Sequence, residues 1–253
     1  MNKKYKLIKE DTKLSWDGRT LYRIQALINI GSIIAGTLGG YIESEKHLDV
    51  SGNAWVSGNA WVSGNAWVSG NAQVSGNAQV YGNARVSGNA QVYGNAWVSG
   101  NAWVSGNAQV SGNAQVYGNA RVSGNAQVYG NAWVSGNAWV SGNAQVSGNA
   151  QVYGNARVSG NAQVYGNTRV SGNAWVSGDA RVSLQKHCYV FHCESYPITV
   201  TPQNVSIGCQ LKTHKEWLKV TKKQAVEMGL NISLYATYKD LIKIGVKAVT
   251  RKD

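Results

Sequence analysis

Seven side chains recur at a fixed interval through the middle of this chain. Trp67, Arg85, Trp103, Arg121, Trp139, Arg157 and Trp175 each lie 18 residues from the next, so indole and guanidinium alternate along the series. Two kinds of chemistry follow. A guanidinium between indoles gains cation–π energy, on the order of 0.5–1 kcal/mol per exposed contact, which is reason enough for the pattern as a structural device. Flat π surfaces with interleaved cations also suit bases, phosphates or sugar rings. A second aromatic series, Trp97, Tyr117 and Trp133, runs out of step with the first. These ten residues form the candidate set for binding a ligand or partner.

The other reactive side chains cluster elsewhere. His187, Cys188, His192, Cys193, Cys209 and His214 lie in the tail and invite a zinc reading. On one extended strand, His187 and Cys193 would sit about 20 Å apart, and Cys188 and His192 about 13 Å apart. Zinc ligands must all lie about 2.0–2.3 Å from the ion, so neither pair can share one. A mixed site using Cys209 and His214 stays open, but no metal or cofactor is expected. Three cysteines are an odd number confined to the tail and imply no disulfide framework. Residues 50–182 contain no His, no Cys and a single carboxylate, Asp179. Ser, Gln and Asn at ordinary pKa cannot act as a general base, so no catalytic residue is expected on this stretch. His47, at its entrance, keeps an enzyme reading open.

What must position the Trp and Arg side chains is a repeat. From Val50 to Arg181 the chain is one hexapeptide, Val-(Ser/Tyr)-Gly-Asn-Ala-x, written 22 times. Thr168 in place of Ala and Asp179 in place of Asn are the departures. A fixed short period means a solenoid and takes precedence over local propensity. Within each unit Ala and Val point inward while x and Ser/Tyr point outward, the period of a strand. Gly-Asn makes the corner, because Gly accepts positive φ and Asn is among the few residues that tolerate it. The composition fits: 30 Gly with only 2 Pro excludes collagen and Pro-rich linkers, and 43% hydrophobic residues argue against disorder.

The pattern resembles the hexapeptide-repeat, left-handed parallel β-helix family, in which an aliphatic residue is followed four positions later by a small one. Val50 and Ala54, Val56 and Ala60, and so on to Val176 and Ala180 carry the resemblance. It implies three hexads per triangular coil of 18 residues, hence a prism on the order of 35 Å long at a strand spacing of about 4.8 Å. Stacked corner asparagines should form amide ladders between coils. The fold hosts acyltransferases, anhydrases and non-catalytic proteins, so it specifies no activity. The lead-in Gly39-Gly-Tyr-Ile-Glu-Ser-Glu-Lys-His-Leu before the repeats also resembles phage- and prophage-encoded hexapeptide-repeat proteins.

Taking every third strand assigns the outward residues to faces. The first face carries glutamines from Gln73 to Gln163 between Trp55 and Arg181, with Tyr93, Tyr129 and Tyr165 beside alternate rungs. The second alternates Trp61, Trp97 and Trp133 with Gln79, Gln115 and Gln151, the latter flanked by Tyr81, Tyr117 and Tyr153. The third is the Trp–Arg series, flanked only by serines. Residues 62–97 and 98–133 are identical and 134–169 differs only at Thr168 and Arg169, so duplication alone could have copied the pattern. An aromatic surface this long exceeds what a monomer normally leaves bare, which points to a partner or a homo-oligomer.

Solenoid ends need caps. Residues 1–49 are expected as an N-terminal β cap, with strands at Tyr5-Lys-Leu-Ile and Thr20-Leu-Tyr-Arg-Ile; 50–182 as the β-helix; and 183–253 as a C-terminal α+β domain. In the last, three strands (Cys188–Cys193, Ile198–Thr201, Val205–Cys209), a short helix after Thr213 and a final helix over Ser233–Val249 are predicted. The basic opening, residues 1–6, is not followed by an apolar signal core, and the uncharged run 24–42 is too polar to insert well in a membrane. A cytoplasmic location in a bacterial host cell is expected. The net charge of +12, half of it in the tail, favours acidic partners. The function expected is non-catalytic binding of a host protein, nucleotide or nucleic acid, in the role of countering host defence. An acyltransferase-like enzyme and a purely structural self-assembling scaffold are the alternatives.

Overall fold

A computed structural model describes residues 3–193 and 196–251, so the first two residues of the basic opening lie outside the described residues. The repeats wind into a parallel β-solenoid of about eight turns. Each hexad contributes a two-residue strand, x-Val, and every strand up to that of Gln163 pairs in parallel with the strand 18 residues on, as in Trp103 with Arg121 and Val104 with Val122. Three sheets result, one for each face, in the register expected. Ala and Val line the interior from Ala54 on, and from Ala72 to Val164 every one is fully buried; Val50, expected inward, is 46% exposed, because the first strand of the solenoid begins only at Trp55.

The corners explain why each hexad spends a glycine. Gly118 has φ +69°, and a Cβ there would lie 3.0 Å from the backbone N of Gly136 in the next coil. Conformation and coil-to-coil approach therefore both demand Gly. Asn plays a different part from the one expected. No non-glycine residue among those described adopts positive φ, so Asn is present for its amide. Asn65, Asn83 and Asn101 begin one column in which each Nδ2 donates to the next Oδ1 at 3.1 and 2.9 Å, and a second column runs from Asn71 to Asp179. The expected amide ladders are present.

At the N-terminal end, β1 (Tyr5–Leu14), β2 (Thr20–Ala26) and β3 (Leu38–Ile42) form an antiparallel extension of the second sheet, and β3 pairs in parallel with the strand of Trp61 and Val62. Gly39 lets β3 close down on the first coil, because a Cβ there would lie 2.4 Å from Ile24 and 2.7 Å from Trp55. Trp55 and Trp61, outward by their place in the repeat, are consequently buried under this cap. Trp61 stacks on Tyr81 at 5.6 Å, and Tyr81 meets Trp16 edge-on at 5.7 Å.

At the C-terminal end, side chains close the last coil. The backbone N–H groups of Arg169, Trp175 and Arg181, one on each sheet, donate to Gln185 Oε1, Thr199 Oγ1 and Gln203 Oε1 at 2.9–3.0 Å. An open parallel edge is thus satisfied without adding a strand. Beyond it the tail holds four antiparallel strands, Tyr189–Phe191, Ile198–Val200, Asn204–Ile207 and Gln210–Thr213, where three were expected. The positive-φ Gly208 turns the third into the unforeseen fourth. The first is shorter than expected and excludes Cys188 and Cys193. Helix α1 (His214–Lys219) begins on the anticipated capping box of Thr213 and Glu216, and α2 (Lys222–Glu227) on a second one of Thr221 and Gln224. Helix α3 (Tyr235–Thr250) starts two residues later than expected, after a 3-10 turn over Ile232–Leu234. Trp217, Ile198, Ile207 and Ile242 anchor this unit's own core.

Candidate functional site

The parallel register sets the third face. Strand pairing aligns Trp67 with Arg85, Trp103 with Arg85 and Arg121, Trp139 with Arg121 and Arg157, and Arg157 with Trp175. Adjacent rungs lie about 4.8 Å apart, within the reach of cation–π contacts. The guanidinium carbons of Arg85 and Arg121 sit 5.3 and 5.4 Å from the Trp103 ring, and those of Arg121 and Arg157 sit 5.4 and 5.6 Å from the Trp139 ring. Arg157 also lies over Trp175 at 5.9 Å. Each of Trp103 and Trp139 therefore has a guanidinium on either neighbouring rung.

Of the two chemistries expected of this series, the cation–π one is realised within the chain: Trp103 and Trp139 are partnered by arginine on both sides and Trp175 on one. Trp67, Trp103 and Trp139 remain 42–44% exposed. The arginines carry the unspent valence. Among the described residues, Arg85, Arg121 and Arg157 form no ion pair with a carboxylate and no hydrogen bond to a protein acceptor. Around Arg121 the walls of Trp103 and Trp139 and the hydroxyls of Ser105, Ser123 and Ser141 enclose a groove of about 220 Å³. That is below the size of drug-like pockets and suits a single side-chain-sized group. Where the face meets the C-terminal unit, Arg157 and Trp175 join Tyr196, Pro197 and Cys209 around a larger recess of about 380 Å³. The indole of Trp175 is half-buried there, its Nε1 donating to Ser159 Oγ at 3.1 Å.

The second face brings its candidates together less closely. Trp97 and Trp133 are each 41% exposed, and Tyr117 meets Trp133 edge-on at 6.5 Å. Tyr153 is exposed beside the next rung but one. From Gln79 to Gln151 this face carries no charge.

The tail residues do not assemble into a centre. No group of three or more His, Cys, Asp or Glu among the described residues is placed to hold a metal ion. His214 Nε2 is bonded to the Thr201 carbonyl at 2.7 Å, and His187 Nδ1 lies 3.2 Å from Ser183 Oγ. Cys188 packs against the solenoid core, where burial pushes its thiol up to about 12. His47 is fully buried: Nδ1–H donates to the Ala66 carbonyl at 2.8 Å, and Nε2 lies 3.6 Å from Glu43. Its burial lowers its pKa, so the ring is a neutral structural element under the cap. Sequence reasoning did not foresee this; the signal was its place in the cap's last turn before the first coil.

The fold and its repeats define a β-helix repeat protein. Within them, residues 78–90, 90–106, 114–128, 126–142, 150–166 and 162–178 match the YdcK beta solenoid repeat. These matches recur with the 36-residue unit of the sequence. No curated protein matches the chain. Among the described residues no helix is long and apolar enough to cross a membrane.

Proposed function

We propose that this protein is a non-catalytic binding scaffold whose third face holds a linear polyanion. The observation that carries this reading is the row of Arg85, Arg121 and Arg157, regularly spaced, with Arg121 and Arg157 each braced between two indoles, Arg85 against one, and none paired with a carboxylate among the described residues. A guanidinium held in place loses less entropy on pairing than a free one, and it pairs with carboxylate or phosphate through charge-assisted hydrogen bonds. The basic tail adds long-range attraction for the same partner. The resemblance of the lead-in and repeats to phage-type proteins supports a setting in the cytoplasm of an infected bacterium, with an acidic stretch of a host protein or a nucleic acid as partner and the countering of host defence as role. The buried His47 lends no support to an acyltransferase reading.

Binding of heparin, a dT oligonucleotide and polyglutamate, each followed by fluorescence anisotropy from low to high salt, tests this. At least one should bind, weaken steeply as salt rises, and bind at least about tenfold more weakly to the R85A/R121A/R157A variant. Unchanged binding by that variant removes the third face as the site.

A further inference from the structure

The third face repeats an arginine between two tryptophan rungs, with a small groove around Arg121, and the period of those arginines constrains what can occupy the face. Arg121 lies between Trp103 and Trp139, Arg85 between Trp67 and Trp103, and Arg157 between Trp139 and Trp175. Successive arginines are 36 residues, or two coils, apart, which is about 9.6 Å. An occupant that meets all three must present one anion at that interval along a straight line.

We infer that the occupant is an acidic peptide segment in the polyproline II conformation, carrying one carboxylate per turn; this rests on the polyanion reading above. A polyproline II turn is three residues at about 3.1 Å each, or about 9.3 Å. Over three grooves the accumulated mismatch is about 0.6 Å, within side-chain adjustment. Other backbones fit worse. Side chains on one face of a β-strand repeat every two residues, about 6.7 Å, so anions at that interval would straddle the second arginine, falling about 3 Å short of it and about 4 Å past it. Positions seven apart on an α-helix lie about 10.5 Å apart and drift by almost 2 Å over the same three grooves. Sequence-tolerant binding of single-stranded nucleic acid relies on bases stacking on aromatic faces. Here Trp103 and Trp139 each have guanidinium groups over them at 5.3–5.6 Å.

The chemistry of the groove agrees with its period. Polyproline II segments dock between aromatic ridges and lose little entropy because they are already extended. Their backbone carbonyls have no internal hydrogen bonds. Ser105, Ser123 and Ser141 supply a hydroxyl beside every rung to meet them. A groove of about 220 Å³ admits the carboxylate arm of one Glu to Arg121, and the flanking indoles limit water at the ion pair.

The test measures anisotropy of a dye-labelled peptide of six Pro-Pro-Glu triplets against the whole protein. Three comparisons accompany it: a peptide of the same composition with its glutamates in one block, a Pro-Pro-Gln peptide, and dT and heparin chains. The triplet peptide should bind about tenfold or more tightly than the block peptide and lose that advantage in R85A/R121A/R157A, with circular dichroism showing the variant folded. Equal or tighter binding of the block peptide overturns the period argument and leaves the polyanion face standing. Arginine-dependent binding of dT or heparin that exceeds the triplet peptide does the same. If none of these polyanions binds, or all bind independently of the three arginines, the inference and the functional reading fail together.

Discussion

Asn161 donates its side-chain Nδ2 to Asp179 Oδ1 at 2.9 Å. In every earlier rung of that column the acceptor is another Asn, which passes a hydrogen bond on to the next coil. Asp179 stands on the last rung, where there is nothing further to donate to. A carboxylate accepts and cannot donate, so the one exception in the column falls where it costs nothing.

The same substitution in mid-column should not be free. Asn107→Asp keeps the bond from Asn89 but loses the donation to Asn125 Oδ1, placing two acceptors together. We expect a loss of about 1 kcal/mol in chemical denaturation. Asp179→Asn should stay within about 0.5 kcal/mol of the parent. Equal effects at the two positions would show that the ladder's direction is immaterial.

Two glycines separate conformational strain from crowding. Gly118 and Gly229 both have positive φ, at +69° and +78°. A Cβ at Gly229 meets nothing within 4 Å, whereas one at Gly118 meets the next coil's backbone at 3.0 Å. Gly229→Ala should cost about 1–2 kcal/mol through conformation alone. Gly118→Ala should cost about 1–3 kcal/mol more, because backbone must move. Thermal melts of both variants give the comparison.

Trp55 and Trp97 occupy the same place in the hexad but not the same environment. Trp55 is 1% exposed beneath Ile24 and Gly39, and Trp97 is 41% exposed. Trp55→Ala should lower stability by about 3–5 kcal/mol, and Trp97→Ala by about 1 kcal/mol or less. Hydrogen exchange of β1–β3 should rise only in the first variant.

His47 gives the N-terminal cap a defined response to acid. Burial lowers its folded-state pKa from the ordinary 6.5, opposed in part by the bond to Ala66 and by Glu43. Above pH 6.5 the ring is neutral whether folded or unfolded, and its contribution to stability is complete. As the pH falls below 6.5 towards the folded-state value, the unfolded chain takes up a proton that the buried ring does not, and stability is lost. Burial alone would raise the Glu43 carboxyl, but the Gly64 N–H and Arg19 hold it below its ordinary 4.5, so it titrates under this window. His47→Gln should flatten the fall in melting temperature between pH 6.5 and 5; an unchanged slope would assign it elsewhere.

The solenoid was legible because each hexad restates the same instruction. Val104, Ala108 and Val110 point inward for the same reason Val56 and Ala60 do, and no single residue decides the register. The ends were less legible because no period governs them. That Trp55 and Trp61 are covered follows from Gly39 allowing β3 to descend, a tertiary contact absent from the repeat itself. In the tail, the strand Gln210–Thr213 is polar and short, and only the turn at Gly208 announces it. The ladder's members and faces could be written down from spacing. That guanidinium and indole alternate along this face, and so meet in cation–π contacts, was equally legible from the 18-residue spacing.

The identical 36-residue blocks have a consequence for how this molecule changes over generations. Adding or removing one block shifts the solenoid by two whole coils, leaves all three sheets in phase and delivers both caps to unchanged partners. Each such event also adds or deletes one Arg groove. If the third face binds a repetitive polyanion as proposed, its valency is countable in whole units, and a lineage could retune avidity by copy number without a single new side chain having to be invented.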